Sequence, residues 1–408
     1  MSSEKGGPIP EGRPAHLSFF HELLSMPRET LPQVTSGAAR RSLEPLASAL
    51  GLKFIEKTAV APTFLLLPEG DEPPDLTVLA SWHAEAEPVT PAAAEGGERL
   101  ALSAAGGALL TIRESGVRRP ALVVPPAAGH GSLPLFESLR EHRPALQAPV
   151  AFWPRIASAE PRRRRVFLGA RGRAMLGIWG DANPYALRDR LVSELRDEAF
   201  GPRPLDFELL RKLAQSGDAL DFLEETIEDP ASVPGEGEAR LRSALFEPRG
   251  GVRRPPVRHP DRPQAWIAIE IAEAMEPAEI ARRARAYAEG VRIEIAESFP
   301  WDRQNIHHPA TQALIQTAKT RSQGVEIWPS APWVTPSGLF TRALGIPLSE
   351  WSLPLPPGSS VRALSPGAFE AIEGELAEVF LRAAGIVPRG AVVEHPSWPD
   401  TQSGAADG

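Results

Sequence analysis

The hydrophobic pattern of this chain changes period along its length, and each change marks an element. The runs 64–67, 76–81, 121–124 and 149–153 are short and almost wholly apolar, as strands buried on both faces are. The segments 16–24, 36–50 and 133–141 place apolar residues at helical spacing, and Gly51 follows the second as a stop. The stretch 104–113 is small and apolar. Strands alternating with helices predict a mostly parallel sheet covered on both faces.

A second pattern starts at Arg162. "RRRRVFLGARGRAMLGIWG" is a long strand signal broken by glycines, and 185–199 is helical. A polar, Pro/Gly-rich middle follows. "AWIAIEIAEAM" (265–275) then alternates as a strand, Pro277 opens a helix that runs to Gly290, and 291–298 alternates again. This predicts a small open sheet with two helices over 162–298. α/β character resumes with a helix at 309–322, a strand in "GVEIWP", a helix in "GLFTRALGIP" and a last helix from Ser365 and Pro366 to Gly385. The expected organisation is one α/β domain, 15–161 and 299–388, interrupted by a smaller α+β domain, 162–298. The tails 1–14 and 389–408 are expected to be loose.

Composition narrows the chemistry. At 408 residues the chain is too long for one ordinary core, which agrees with two domains. Apolar residues make up 42% and charged residues 24%, a globular balance, and the net charge of −8 favours neither nucleic acid nor an anionic membrane. The chain has no cysteine, which excludes disulfides, thiolate-held metal and thiol nucleophiles. The expectation is a soluble, cytoplasmic protein with no signal peptide and no membrane span.

Several stretches, in this order, resemble the dizinc metallopeptidase and amidohydrolase family of aminoacylase, carnosinase and carboxypeptidase-G. "LASWHAEAEPV" (79–89) is similar to that family's strand ending in His-x-Asp. "LALSAAGGALL" (100–110) is similar to the segment carrying its bridging Asp, and "ALVVPPAAGHGS" (121–132) to the strand ending in Glu-Glu. "VFLGARGRAMLGIWG" (166–180) resembles the entry to an inserted lid, and the stretch 268–298 its exit. "HHPATQALIQTA" (307–318) and "SGLFTRALGIP" (337–347) resemble the return to the catalytic domain. The resemblance covers 15–388. It implies a zinc-aminopeptidase-like mixed sheet flanked by helices, with an inserted α+β lid/dimerisation domain. It also implies two zinc ions, a bridging Asp, a Glu acting as general base on metal-bound water, and a lid His that stabilises the oxyanion.

The residues depart from that scheme. His83 stands at the first ligand position, with Glu85 in place of the orienting Asp. Ala104 or Ala105 stands where the bridging Asp belongs, and no Asp occurs between Asp75 and Asp181. Ala127, Ala128 and Gly129 occupy the Glu-Glu position, and Trp153 and Pro154 the fourth ligand position. "PPGSSVRALSPGAF" and "GDANPY" lack the last ligand His and the lid His. Alanine and glycine side chains carry no donor atom, and one imidazole cannot hold two dications without a bridging carboxylate.

Each remaining candidate has a chemical and a plain reading. His83 is a remnant metal ligand or pocket imidazole, or a polar residue at a strand end. Glu85 and Glu87 are an acid/base pair, or solvated loop charges. His307 and His308 with Asp302 are a replacement metal site, or a polar loop before a helix. "PRRRRV" (161–166) is a basic patch for an acidic partner, or a solvated hinge, which the acidic chain favours. Gly129, Gly131 and Ser132 form a phosphate loop only if the missing lysine and spacing are ignored. His130 next to Ser132 has the types but not the spacing of a triad. The expectation is a degenerate, non-catalytic family member without a cofactor. It would bind a small peptide or acyl-amino acid, or pair as a homodimer or as a heterodimer with an active paralogue. The alternative is an amide-bond hydrolase, zinc-dependent, with a remodelled site around His83, Glu85, Glu87 and His130.

Overall fold

In the first part of the chain a strand that the pattern did not predict, β1 (Lys53–Lys57), comes first, and the four apolar runs become β2 (Thr63–Leu67), β3 (Leu76–Leu79), β4 (Pro120–Val124) and β5 (Ala151–Ala157). Then come β6 (Arg164–Phe167), β7 (Gly169–Ala170), β8 (Gly172–Trp179), β9 (Arg249–Arg253), β10 (Ala265–Ile271), β11 (Arg292–Phe299), β12 (Asp302–Arg303), β13 (Val325–Trp328) and β14 (Leu348–Pro354). This computed structural model describes residues 17–26, 32–57, 62–83, 97–117, 119–126, 132–157, 164–197, 203–226, 236–254, 262–271, 276–355 and 364–385. The tails expected at 1–14 and 389–408 lie outside them.

The main sheet has six strands in the order β1-β2-β4-β3-β5-β14. β4, β3, β5 and β14 run parallel, while β2 is antiparallel to β4 and β1 to β2, so the sheet is mixed. Period-two alternation sends side chains to two cores. Phe64, Leu66, Val78, Leu122, Phe152 and Trp351 join one apolar cluster, and Leu65, Leu79, Val123, Ala151, Trp153 and Leu348 join the other. Helices α1 (Leu17–Ser25), α2 (Pro32–Leu50) and α3 (Gly97–Glu114) cover the first face. α4 (Ser132–Glu141) and α5 (Arg143–Leu146) contribute to the second. Gly51 at φ +66 ends α2 with the left-handed residue expected there.

The small sheet is richer than expected. It holds four strands in the order β11-β8-β10-β9, all neighbours antiparallel, with α6 (Pro184–Asp197) between β8 and β9. α10 (Pro277–Tyr287) lies between β10 and β11, which completes a β-α-β-β-α-β unit. Ala174, Leu176, Ile178, Ile267, Ile269, Ile271 and Ile293 pack one face of it against these helices. β9, "RGGVR", carries too few apolar residues to announce itself.

The polar middle is not featureless. It contains α7 (Pro204–Ala214), α8 (Gly217–Thr226) and α9 (Gly237–Phe246). Their apolar faces join Phe167, Trp328, Ala331 and Trp333 in a separate cluster, away from the core of the small sheet. β13 pairs in parallel with β6, so Arg164–Phe167 is bonded to Val325–Trp328, and the long strand signal after Arg162 breaks into β6, β7 and β8. α11 (Pro309–Arg321), α12 (Ser337–Leu344) and α13 (Pro366–Ala383) complete the chain. Among the described residues no helix is long and apolar enough to cross a membrane.

The basic run is also corrected. Arg164 is 1% exposed, and its Nη2 donates to Glu375 on α13 at 2.7 Å. Arg165 donates to Glu326 at 3.1 Å and lies over the Phe222 ring at 3.9 Å. Arg164 is buried and Arg165 half-buried, each in an ion pair with a glutamate, so these two are not a solvated hinge. Their partners come from 160 and more residues away, so a local charge count could not reveal them. Residues 161–163 lie outside the described residues.

Candidate functional site

Ligands in open α/β sheets bind beyond the carboxyl ends of the parallel strands, where successive connections leave in opposite directions. Here β3 leads through α3 to β4 on one side, and β4 leads to β5 on the other side of β3. At this place lies a cavity of about 20 Å³, lined by Ser81, Gly97, Glu98, Trp153, Pro154, Arg155 and Ile156. That volume suits about one water.

His83 is at the head of this region. After β3 the chain stays alongside β4: the Trp82 N–H donates to the Pro125 carbonyl at 3.2 Å and the His83 N–H to the Pro126 carbonyl at 2.8 Å. Trp82 is fully buried, its indole N–H donates to the Pro62 carbonyl at 2.9 Å, and its ring lies 5.6 Å from the His83 ring. His83 is therefore a half-buried strand-end imidazole seated on a core tryptophan. Glu85, Glu87 and His130 lie outside the described residues, as do Ala127, Ala128 and Gly129.

Ala104 and Ala105 fall inside α3, at 0% exposure, within the main core. The small, apolar 104–113 stretch is thus a packing surface of a buried helix. Gly106 has the same cause: a Cβ there would lie 3.0 Å from the Phe20 ring. Arg99 pins α3 to α1, donating to the Met26 carbonyl at 2.6 Å.

Trp153 and Arg155, two apart on β5, share a face, and Glu350 on β14 stands in register with Trp153. The Arg155 guanidinium lies 4.8 Å from the Trp153 ring centroid and 5.3 Å from that of Trp333. It donates to Glu350 Oε1 at 3.0 Å, and Trp333 Nε1 donates to Glu350 Oε2 at 3.1 Å. The Arg155 and Glu350 side chains are 12% and 6% exposed. Sequence reading singled out Trp153 and Pro154. It missed Arg155, Trp333 and Glu350, because the cluster draws on three separate segments.

The described donors do not by themselves make up a two-zinc site; Glu85, Glu87 and His130 lie outside the described residues. Among the described residues, no three His, Asp, Glu or Cys side chains are grouped so as to hold a metal. The charged side chains lining the cavity are Glu98 and Arg155, which offset each other. A dinuclear site needs an excess of carboxylate around it, and a fixed guanidinium opposes that.

The second histidine candidate resolves in the same direction. His308 is the N-cap of α11, its Nδ1 accepting from the Ala310 N–H at 3.3 Å, and burial lowers its pKa. Asp302 faces α12 instead, where the Thr341 hydroxyl donates to Oδ1 at 3.0 Å, while Oδ2 is buried without a hydrogen-bond partner. Burial raises the Asp302 carboxyl above its ordinary value. Each is engaged within the fold, and among the described residues the two do not belong to a group of three metal-capable side chains.

Comparison with known proteins adds the fold. No family model matches the sequence, and no curated protein matches it. Solved structures do. The chain resembles an M20 family metallo-carboxypeptidase, Sso-CP2 from Sulfolobus solfataricus, with a TM-score of 0.67 and 14% identity over 92% of this chain and 100% of that one. It resembles the dipeptidase Dug1p from Saccharomyces cerevisiae with a TM-score of 0.62 and 12% identity, over 91% and 96% of the two chains. It resembles human carnosine dipeptidase 1 with a TM-score of 0.60 and 11% identity, over 91% and 97%. This chain has the fold of the M20 metallopeptidases.

Proposed function

We propose that this protein keeps the metallopeptidase fold without the chemistry, and acts in the cytoplasm as a non-catalytic, partner-regulating protein. The observation that supports it is the filling of the strand ends. Where a zinc peptidase would hold metal and substrate, Trp153, Arg155, Trp333 and Glu350 pack together, and the cavity bordered by Trp153 and Arg155 is only about 20 Å³. A pocket for a small peptide or acyl-amino acid takes roughly 300 Å³ or more. The filled strand ends therefore favour a protein partner, a second copy of the chain or an active paralogue, over a small ligand at this position.

The test is metal content together with turnover. Purified protein should carry no stoichiometric zinc, should hydrolyse neither dipeptides nor N-acyl amino acids, and should melt at the same temperature with and without a chelator. Near-stoichiometric zinc that is lost in His83→Ala, together with turnover, would overturn the proposal. It would establish the remodelled hydrolase around His83, Glu85, Glu87 and His130.

A further inference from the structure

A dinuclear peptidase neutralises the carboxylates at its strand ends with metal dications. In this chain the positive charge at that place is a guanidinium supplied by β5 itself. We propose that Trp153, Trp333 and Glu350 form a cage specific for a guanidinium group, filled in cis by Arg155, so that a built-in organic cation stands where the fold's metal would be. The inference rests on the non-catalytic reading of the strand ends.

Three features carry it. The first is geometry: one guanidinium lies over two indole rings at 4.8 and 5.3 Å, a separation at which the ring quadrupole attracts a cation. The second is the carboxylate. Glu350 takes an N–H from Arg155 on one oxygen and the Trp333 indole N–H on the other, so the acid is held in place by a wall of the cage. The third is desolvation, with Arg155 at 12% and Glu350 at 6% exposure. A planar, weakly hydrated guanidinium can stack between rings and donate in plane to a carboxylate, and a compact, strongly hydrated ammonium cannot do both. The wall is braced from behind: the Trp333 ring meets Phe167 at 5.1 Å and Phe222 at 5.9 Å.

The cage can be emptied and refilled. Arg155→Ala leaves Glu350 buried beside two indoles, and in chelator-treated buffer its melting temperature should fall by roughly 5–10 °C. Ethylguanidinium chloride at millimolar concentration should raise it again with saturation, ethylammonium should not, and wild type should respond to neither. A folded variant that ignores ethylguanidinium, or that responds equally to ethylammonium, overturns the cage. If Arg155→Ala does not fold, Arg155→Lys serves: it keeps the charge but should still melt several degrees below wild type, and equal stability overturns the cage. Zinc alone separates the two proposals. Stoichiometric zinc on wild type, lost in His83→Ala and accompanied by turnover, would overturn the non-catalytic reading and with it the assignment that rests on it. No response to zinc or ethylguanidinium would overturn the cage alone.

Discussion

Arg164 and Glu375 meet at 2.7 Å with side chains 2% and 3% exposed, and the Trp351 indole N–H donates to the other carboxylate oxygen at 3.1 Å. Burial raises the Glu375 pKa above its ordinary 4.5, and the Arg164 and Arg321 charges work against that rise. A carboxyl raised in the folded state contributes most to stability below 4.5. The contribution is lost as the pH climbs through the raised value. Arg164 limits that loss. Arg164→Met should therefore cost about 3–5 kcal/mol at neutral pH, the cost of leaving a buried charge short of its partner. Below about pH 4.5 the gap from wild type should narrow, because Glu375 is then neutral in both proteins. Urea unfolding of the two proteins at acid and at neutral pH measures it. Because the pair is dry, the neutral-pH cost should change little with added salt.

At the scale of elements, glycines mark the close approaches. α12 packs where the chain leaves β11, and a Cβ on Gly338 would collide with the Pro300 carbonyl oxygen and lie 2.9 Å from that of Trp301. Backbone cannot swing aside as a long side chain can. Gly338→Ala should cost about 1–3 kcal/mol in chemical denaturation. A Cβ on Gly251, in edge strand β9, would meet no atom within 4 Å, so Gly251→Ala should stay within about 0.5 kcal/mol of wild type. The two look alike in sequence. Element types were largely legible: the helices expected at 36–50, 185–199 and 309–322 fold as Pro32–Leu50, Pro184–Asp197 and Pro309–Arg321. β1, β9, β14 and α7–α9 were not legible, because their apolar residues answer to neighbours distant in sequence and sit among prolines, glycines and charges.

At the scale of the whole molecule, the three-helix insert ties the small sheet to the main body. It leaves the chain after α6 and returns at β9, yet packs on Phe167, Trp328 and Trp333. Buried cations hold both of its ends. Asp206 pairs with Arg303 near the start. Arg171, at 0% exposure, donates to the carbonyls of Ala244 at 3.2 Å and Leu245 at 2.9 Å, and to that of Glu247. Burial brings the Arg171 pKa down to about 9, so it still carries its charge at neutral pH. Arg171→Met removes every one of those donors at once. Amide exchange should accelerate in 237–253, while β8, held by β10 and β11, keeps its protection. The insert braces Trp333, so the same variant should also loosen the wall of the Arg155 cage.

The sequence by itself determined the fold class and most of the strands and helices that build it, because apolar periodicity and Gly/Pro stops are local. It also showed that no Asp occurs between Asp75 and Asp181, since a missing residue type is visible without coordinates; Ala104 and Ala105, read as stand-ins for the bridging Asp, proved to be core residues of α3. Tertiary structure decided what fills the gap. Arg155, Trp333 and Glu350 are far apart in the chain and meet only because β14 pairs with β5 and the segment after β13 folds over their ends. It likewise turned Arg164 and Arg165 of the "RRRR" run into ion-pair partners for α13 and β13. Whether a charge faces water or a carboxylate depends on what packs above it, and that is a property of the fold rather than of the neighbouring letters.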